Sequence, residues 1–152
     1  MIRHIFISPK HNFFGHKGQA PGETPMVDLD EVECVAGRGL VGDRFFDFKP
    51  DYKGQSTFFA WENLLKMWDE LGVTERVASV TRRNIISEGL DLNALIGAEF
   101  EIQGVRFLGT EECRPCSWMN DAVDPRAEAW MKGRGGLRAK ILVGGVLKRN
   151  LA

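Results

Sequence analysis

The chain has 152 residues, of which 43% are hydrophobic, a length and composition that predict one folded domain over residues 1–152 and exclude a disordered chain. Its 20 Lys and Arg residues against 21 Asp and Glu residues leave a formal charge of −1, so no general attraction to nucleic acid or to a membrane is expected. The 3 cysteines are too few for a disulfide scaffold, and the first residues do not resemble a secretory signal. We therefore expect a cytoplasmic protein with free thiols.

The first part of the chain predicts short strands joined by loops. Residues 2–8 read as a strand, and the polar stretch 9–25, which contains several Gly and Pro residues, reads as a loop. In residues 27–35 the apolar positions alternate but slip by one residue at 30–31, which predicts a β-bulge. A glycine-rich loop over residues 37–54 follows.

The rest of the chain predicts helices, a hairpin and a further strand. Apolar residues at helical spacing from Trp61 to Leu71 predict an amphipathic helix that ends at Gly72. Residues 99–111 predict a hairpin, residues 126–132 a short helix that begins after a proline, and residues 137–143 a strand. Because a regular βαβ alternation is missing, these elements predict a mainly β fold, a β-barrel or folded sheet with a few short peripheral helices.

The segment Gly37-Arg38-Gly39-Leu40-Val41-Gly42 has the spacing of the dinucleotide-binding motif G-x-G-x-x-G. That motif needs a helix directly after it, and residues 43–50 show no helical period. A glycine-rich turn is therefore favoured over a dinucleotide site, although its amides near Arg44 remain able to hold an anionic group.

The sharpest chemical feature is the segment Cys113-Arg114-Pro115-Cys116. Two thiols at this spacing can form a redox pair, supply half of a zinc site or place one reactive thiolate at a turn. Zinc needs about four ligands, and the other candidate ligands lie far away in the sequence: His4, His11, His16 and Cys34. Arg114 and a predicted helical turn from Ser117 onward favour a reactive thiolate over a pair of inert, buried cysteines.

A basic segment, Arg82-Arg83-Asn84, lies between apolar stretches. Its forked guanidinium groups are able to clamp a phosphate or a carboxylate. Taken alone, however, this segment and Arg138 are more typical of a solvated basic edge.

Taken in order along the chain, these segments resemble the MOSC domain family, named for the carboxy-terminal domain of molybdenum cofactor sulfurase. The resemblance covers nearly the whole chain and rests on Gly39-Leu40-Val41-Gly42-Asp43-Arg44, Gln55, Arg82-Arg83-Asn84-Ile85, Gly89, residues 92–97 with Phe100 and Ile102, Cys113-Arg114-Pro115-Cys116, and Gly136-Leu137-Arg138-Ala139.

The resemblance implies a β-barrel domain whose functional thiol is Cys116, the cysteine that follows the proline. In relatives this thiol is thought to carry sulfur as a persulfide or to serve as a ligand to molybdenum in a bound pterin cofactor, and some relatives reduce N-hydroxylated compounds. The cofactor-binding residues that it implies are Asp43, Arg44, Arg82, Arg83, Asn84 and Arg138.

The sequence departs from the family pattern in two ways. Phe45 follows Arg44 where many relatives have histidine. The sequence also lacks the pyridoxal-phosphate domain that mobilises sulfur and the additional barrel of amidoxime-reducing relatives. We therefore expect the sulfur donor, such as a cysteine desulfurase, or the reductase to be a separate protein.

Three functions remain open at this point. The favoured one is a molybdenum-cofactor-binding oxidoreductase or sulfur-transfer domain in which Cys116 is the metal ligand or the persulfide carrier. The first alternative is a non-catalytic module that delivers the cofactor or a sulfur-bearing group to a partner enzyme. The second alternative is a dithiol redox protein in which Cys113 and Cys116 interconvert with a disulfide.

Overall fold

Ten short strands and three short α-helices form most of the regular structure in the computed structural model, which describes residues 1–9 and 26–150. The strands are β1 (Ile2–Ile7), β2 (Val27–Asp28), β3 (Glu31–Val35), β4 (Gly39–Leu40), β5 (Ser56–Ala60), β6 (Ile85–Ser87), β7 (Glu99–Ile102), β8 (Val105–Glu112), β9 (Leu137–Val143) and β10 (Gly145–Lys148). The helices are α1 (Trp61–Glu70), α2 (Trp118–Ala122) and α3 (Ala127–Met131), with 3₁₀ turns at Ala78–Thr81 and Asn93–Leu95. Nearly all of the predicted loop 9–25, including His11 and His16, lies outside the described residues.

The described strands form two sheets. One has seven strands in the order β2-β1-β6-β5-β9-β8-β7, and the other has three strands in the order β10-β3-β4. The prediction of a mainly β fold with few helices is confirmed. Among the described residues the strand pairings give two open sheets, and no pairing closes either of them into a ring.

One βαβ connection is present, although the sequence pattern did not indicate it. Strands β5 and β6 pair in parallel, and the chain between them passes through α1 and the 3₁₀ turn Ala78–Thr81. The predicted helix at residues 61–71 is confirmed as α1, and it buries Leu64, Met67 and Trp68 against the sheet. Both faces of β5 are therefore covered, and Phe58 and Phe59 point into different clusters of the core with no exposed surface.

The predicted β-bulge at residues 30–31 is wrong. Strand β2 pairs with β1 in the large sheet, whereas β3 pairs with β10 and β4 in the small one. The one-residue slip in the apolar pattern marks the place where the chain leaves one sheet for the other. Local alternation does not distinguish such a crossing from a bulge, because both shift the buried side by one residue.

The predicted hairpin is confirmed as β7 and β8, with Ile102 opposite Val105. Its two turn residues, Gln103 and Gly104, both have positive φ angles, of 52° and 85°. Positive φ at both positions is typical of the tight turn that matches the twist of paired strands.

The glycine-rich segment 37–42 spans part of the turn 36–38 between β3 and β4, the short strand β4 and the turn after it, and turns and bends rather than a helix continue to residue 51. This arrangement agrees with the choice of a turn over a dinucleotide site. No helix in the described part of the chain is long and apolar enough to cross a membrane.

Candidate functional site

The two cysteines of the segment Cys113–Cys116 lie between β8 and α2 in different environments. The amide of Cys113 donates to Gly136 O (2.9 Å) and so extends the pairing of β8 with β9. The side chain of Cys113 is buried, whereas that of Cys116 is exposed. Cys116 O accepts a hydrogen bond from Met119 N (3.1 Å) at the start of α2. The exposed thiol is thus held at a strand-to-helix junction.

Cys116 opens into a cavity of about 240 Å³ that lies beside both thiols. We call it the thiol cavity. It is lined by Arg44, Phe45, Tyr52, Gly54, Thr57, Thr81, Arg82, Arg83, Cys113, Arg114, Cys116, Trp118, Met119 and Arg138. Five of these residues are arginines, and among the described lining residues none is Asp or Glu. Distant segments of the sequence therefore combine into one strongly positive hollow.

The arginines of the thiol cavity lower one another's pKa values. Burial, together with the nearby Arg44 and Arg83, lowers the pKa of Arg82 to about 10, and Cys116 opposes this shift. Burial also lowers the pKa of Arg44, which Asp43 partly offsets and Arg83 reinforces. An anion bound among these groups relieves both the desolvation and the repulsion.

Arg44 has an incompletely satisfied guanidinium group. Its Nε is buried and has no hydrogen-bond partner among the described residues. The group lies 4.7 Å from the centre of the Phe45 ring and makes one weak contact with Met26 Sδ (3.9 Å). Because a buried donor without a partner costs about 1–3 kcal/mol, this atom favours an acceptor supplied from the cavity.

Arg138 lies near Cys113, which the sequence did not indicate. Burial by itself lowers the pKa of Arg138, but Cys113, Tyr52 and Glu111 outweigh burial and raise it. Its Nη1 is also 3.4 Å from Glu111 Oε1. Arg138 thus remains firmly charged at the buried end of the thiol cavity.

Arg83 is used mainly by the protein itself. Its guanidinium is buried and donates to three backbone oxygens: Thr81 O (2.8 Å), Cys113 O (2.9 Å) and Gly135 O (2.9 and 3.1 Å). These bonds join the 3₁₀ turn, the cysteine segment and the loop before β9. Arg83 therefore contributes positive charge to the cavity wall while holding that wall together.

The glycine loop before β9 packs closely on the cysteine segment and on β5. A Cβ atom on Gly135 would lie 2.4 Å from Cys113 O, and one on Gly136 would lie 2.0 Å from Phe58 O. Any side chain at these two positions would push the loop away. The glycines thus permit the close approach that Arg83 then secures.

Asp43 and Asn84, both predicted as cofactor-binding residues, are buried beside the site and are absent from the described cavity lining. Asp43 accepts from Ser8 N (2.9 Å) and Phe45 N (3.3 Å). Asn84 Oδ1 accepts from the amide (3.1 Å) and the hydroxyl (3.0 Å) of Thr57, and its Nδ2 donates to Phe6 O (3.0 Å). Their polar atoms are occupied in joining strands and loops.

Replacing Asn84 with alanine is expected to lower the free energy of unfolding by about 2–4 kcal/mol, because buried groups of Thr57 and Phe6 lose their partner. Urea denaturation measures this loss. Asn63→Ala on α1 is the matched control, since it removes the same side chain outside this network, and a change within about 0.5 kcal/mol is expected. Equal stability of the Asn84→Ala variant and the wild type would show that the network is unimportant.

Three aromatic rings line the thiol cavity, and none of them is among the site residues predicted from the sequence. The rings of Phe45 and Tyr52 are 5.5 Å apart, and the guanidinium of Arg82 lies 5.5 Å from the Trp118 ring. Phe45 and Tyr52 both belong to the glycine-rich loop 37–54. Aromatic residues in a loop have little core to fill, so their concentration in this loop is the sequence feature that could have predicted a binding role for them.

Cys113 and Cys116 are both free thiols in the structure, the first buried and the second exposed. The described residues contain no group of three or more His, Cys, Asp or Glu side chains that could hold a metal.

Comparison with known proteins identifies a family model and several similar structures. The model of the MOSC domain matches residues 54–149. The YuaD protein from Bacillus subtilis superposes with a TM-score of 0.73 at 15% identity, covering 97% of this chain and 90% of that one. YiiM from Geobacillus stearothermophilus gives 0.69 at 14% identity (99% and 72%), and YiiM from Escherichia coli gives 0.63 at 16% identity (97% and 66%). No curated protein matches the sequence.

Proposed function

Because this chain belongs to the MOSC domain family, whose members are associated with molybdenum-cofactor proteins, we propose that it binds a molybdenum–pterin cofactor in the thiol cavity and uses Cys116 as its reactive sulfur. The observation that carries the proposal is the placement of one exposed thiol and five arginines around a single cavity, with no Asp or Glu among the lining residues that the structure describes.

The charges and the rings that line the thiol cavity match the chemistry of such a group. Arginine forks bind phosphate oxygens in pairs, and the unsatisfied Nε of Arg44 and the depressed pKa of Arg82 are both relieved by an anion. The rings of Phe45, Tyr52 and Trp118 provide flat apolar walls suited to a planar ring system. A thiolate is a soft donor of the kind that transition metals select.

Each predicted residue has a distinct part in this proposal. Arg44, Arg82 and Arg138 hold the phosphate and the pterin, and Cys116 supplies the sulfur ligand. Arg83 adds charge and fixes the wall, as its backbone bonds indicate. Asp43 and Asn84 act by positioning their neighbours. When bound, the molybdenum centre supplies two-electron oxidation and reduction, and reduction of N-hydroxylated compounds is the reaction that we propose for it.

The same thiol is suited to carry sulfur. The Cys116 thiolate attacks the outer sulfur of a donor persulfide, R–S–SH, so that a new S–S bond forms, the donor S–S bond breaks and the donor leaves as R–S⁻. The product is a persulfide on Cys116. Attack requires access from outside, which the exposed position of Cys116 provides and the buried position of Cys113 does not. The donor, a cysteine desulfurase, or in the oxidoreductase case the reductase, is a separate protein in a cytoplasm that keeps thiols reduced.

The delivery-module alternative uses the same cavity and differs only in turnover. A module that binds the cofactor but does not reduce N-hydroxylated compounds in the presence of a reductase is a carrier. Turnover under the same conditions identifies an oxidoreductase.

The proposal is tested on protein purified from cells that make the cofactor, by measuring molybdenum, released pterin and the intact mass. We expect bound pterin and molybdenum, or an added mass of about 32 Da for one sulfur on a thiol. Arg44→Gln is expected to lower the pterin content about tenfold or more, since a hydrogen bond to a charged group contributes roughly 1.5–3 kcal/mol. Arg76→Gln, which removes an exposed arginine paired with Asp69, serves as the control. Wild-type protein that carries no pterin, no molybdenum and no added sulfur would refute the proposal.

A further inference from the structure

A second cavity lies on the other side of the cysteine segment, between β8 and the helices α2 and α3. Its volume is about 520 Å³, compared with about 240 Å³ for the thiol cavity, and it falls within the range of roughly 300–1,000 Å³ that is usual for small-molecule sites. We call it the helix groove. Arg114 lines both cavities, so the two spaces share a wall.

The helix groove carries two charges of each sign. Glu112 and Glu128 provide carboxylates, and Arg114 and Lys132 provide cations. None of the ion pairs formed within residues 1–9 and 26–150 involves any of these four side chains. Opposite charges that line one cavity without pairing are available to a ligand that carries both signs.

The two carboxylates are held in place. Glu112 Oε2 accepts from Gly135 N (3.3 Å), and Glu128 Oε1 accepts from Asn120 Nδ2 (3.2 Å). The side-chain Oδ1 of Asn120 in turn accepts from Glu128 N (2.9 Å), which ties α2 to α3. Both carboxylates are half-buried, while Arg114 and Lys132 are exposed on flexible stems. Carboxylates that are held by hydrogen bonds, together with exposed cations on flexible stems, suit a ligand whose ammonium group docks first and whose carboxylate is then bound by the cations.

We propose that the helix groove binds a small zwitterion of the amino-acid class, with its ammonium group at Glu112 and Glu128 and its carboxylate at Arg114 and Lys132. This site is chemically distinct from the thiol cavity, whose described lining contains five arginines and no Asp or Glu and therefore selects an anion. The inference does not depend on which group Cys116 binds, since it rests on the side chains of the groove alone.

Titration of the ¹⁵N-labelled protein with L-glutamine tests the proposal, with N-acetyl-glutamine and glutamine methyl ester as singly charged analogues. We expect the amide signals of residues 112–133 to shift with a dissociation constant in the range of roughly 1 μM–1 mM, as for ordinary small substrates. Each singly charged analogue, and each of the variants Glu128→Gln and Lys132→Met, is expected to bind about tenfold more weakly.

The matched controls are Glu70→Gln and Lys66→Met, which remove the same charges from exposed positions of α1 and should bind L-glutamine as the wild type does. Glu128→Gln keeps the acceptor for Asn120, and a dispersed amide spectrum shows that each variant is folded. Absence of shifts in residues 112–133 would overturn the proposal. Equal binding of the singly charged analogues, or unaltered binding by both groove variants, would do the same.

Discussion

Cys116→Ala protein purified from cofactor-producing cells is expected to contain at least about tenfold less molybdenum, or tenfold less added sulfur, than the wild type. The reason is that the thiolate is the soft ligand and the nucleophile of the site. The folded state should be retained, since Cys116 is exposed and removing its side chain leaves no cavity in the core. Elemental analysis for molybdenum and intact-mass spectrometry give the result.

Cys113→Ala is the matched control for this experiment. Cys113 lines the same cavity, but it is buried close to Arg138. We expect this variant to keep its molybdenum or added sulfur, with some loss of stability from the vacated space. Wild-type amounts of both in the Cys116→Ala protein would exclude Cys116 as ligand and carrier. Loss in the Cys113→Ala protein alone would assign the reactive sulfur to Cys113.

Arg83→Gln is expected to lower the free energy of unfolding by roughly 3 kcal/mol or more, because the carbonyl groups of Thr81, Cys113 and Gly135 lose a buried charged donor. Arg83→Lys should restore little of this, since an ammonium group does not reproduce the forked geometry that reaches three separate oxygens. Urea denaturation of the protein without cofactor provides the measurement.

The control for Arg83 is Arg76→Gln. Arg76 bonds to Val73 O (3.1 Å) and Asp69 Oδ1 (2.8 Å), but both partners are at the surface, so a change of at most about 1 kcal/mol is expected. A urea midpoint of Arg83→Gln equal to that of the wild type would show that Arg83 does not hold the cavity wall. The main role of Arg83 would then be to bind the cofactor.

Much of the fold could be read from local patterns. Helix α1 follows from apolar residues at 3.6-residue spacing, and the hairpin of β7 and β8 follows from two alternating runs around Gly104. The parallel pairing of β5 with β6 could not be read in this way, because it depends on a contact across the whole of α1 and the 3₁₀ turn. The break between β2 and β3 was misread as a bulge for the same reason.

In the candidate site, three neighbouring residues that the sequence does not distinguish have different roles in the structure. Arg82, Arg83 and Asn84 are consecutive and equally polar, so the sequence offers no ground for separating them. In the structure Arg82 adopts a left-handed backbone conformation, with a φ angle of 59°. Arg82 lies beside Trp118, Arg83 bonds to backbone carbonyls, and the side chain of Asn84 joins β1 to β5.

The sequence by itself determined the mainly β class, the helix α1, the hairpin of β7 and β8, and the family, because each of these depends on residue identity and short-range spacing. The role of Cys116 as the functional thiol is a prediction from the same source. Only the tertiary structure decided which arginines face the thiol, which predicted residues are occupied by internal hydrogen bonds, and that a second, mixed-charge groove lies behind Arg114. The physical reason is that burial, pKa and hydrogen-bond partnership are set by groups that are distant in the chain and adjacent in space.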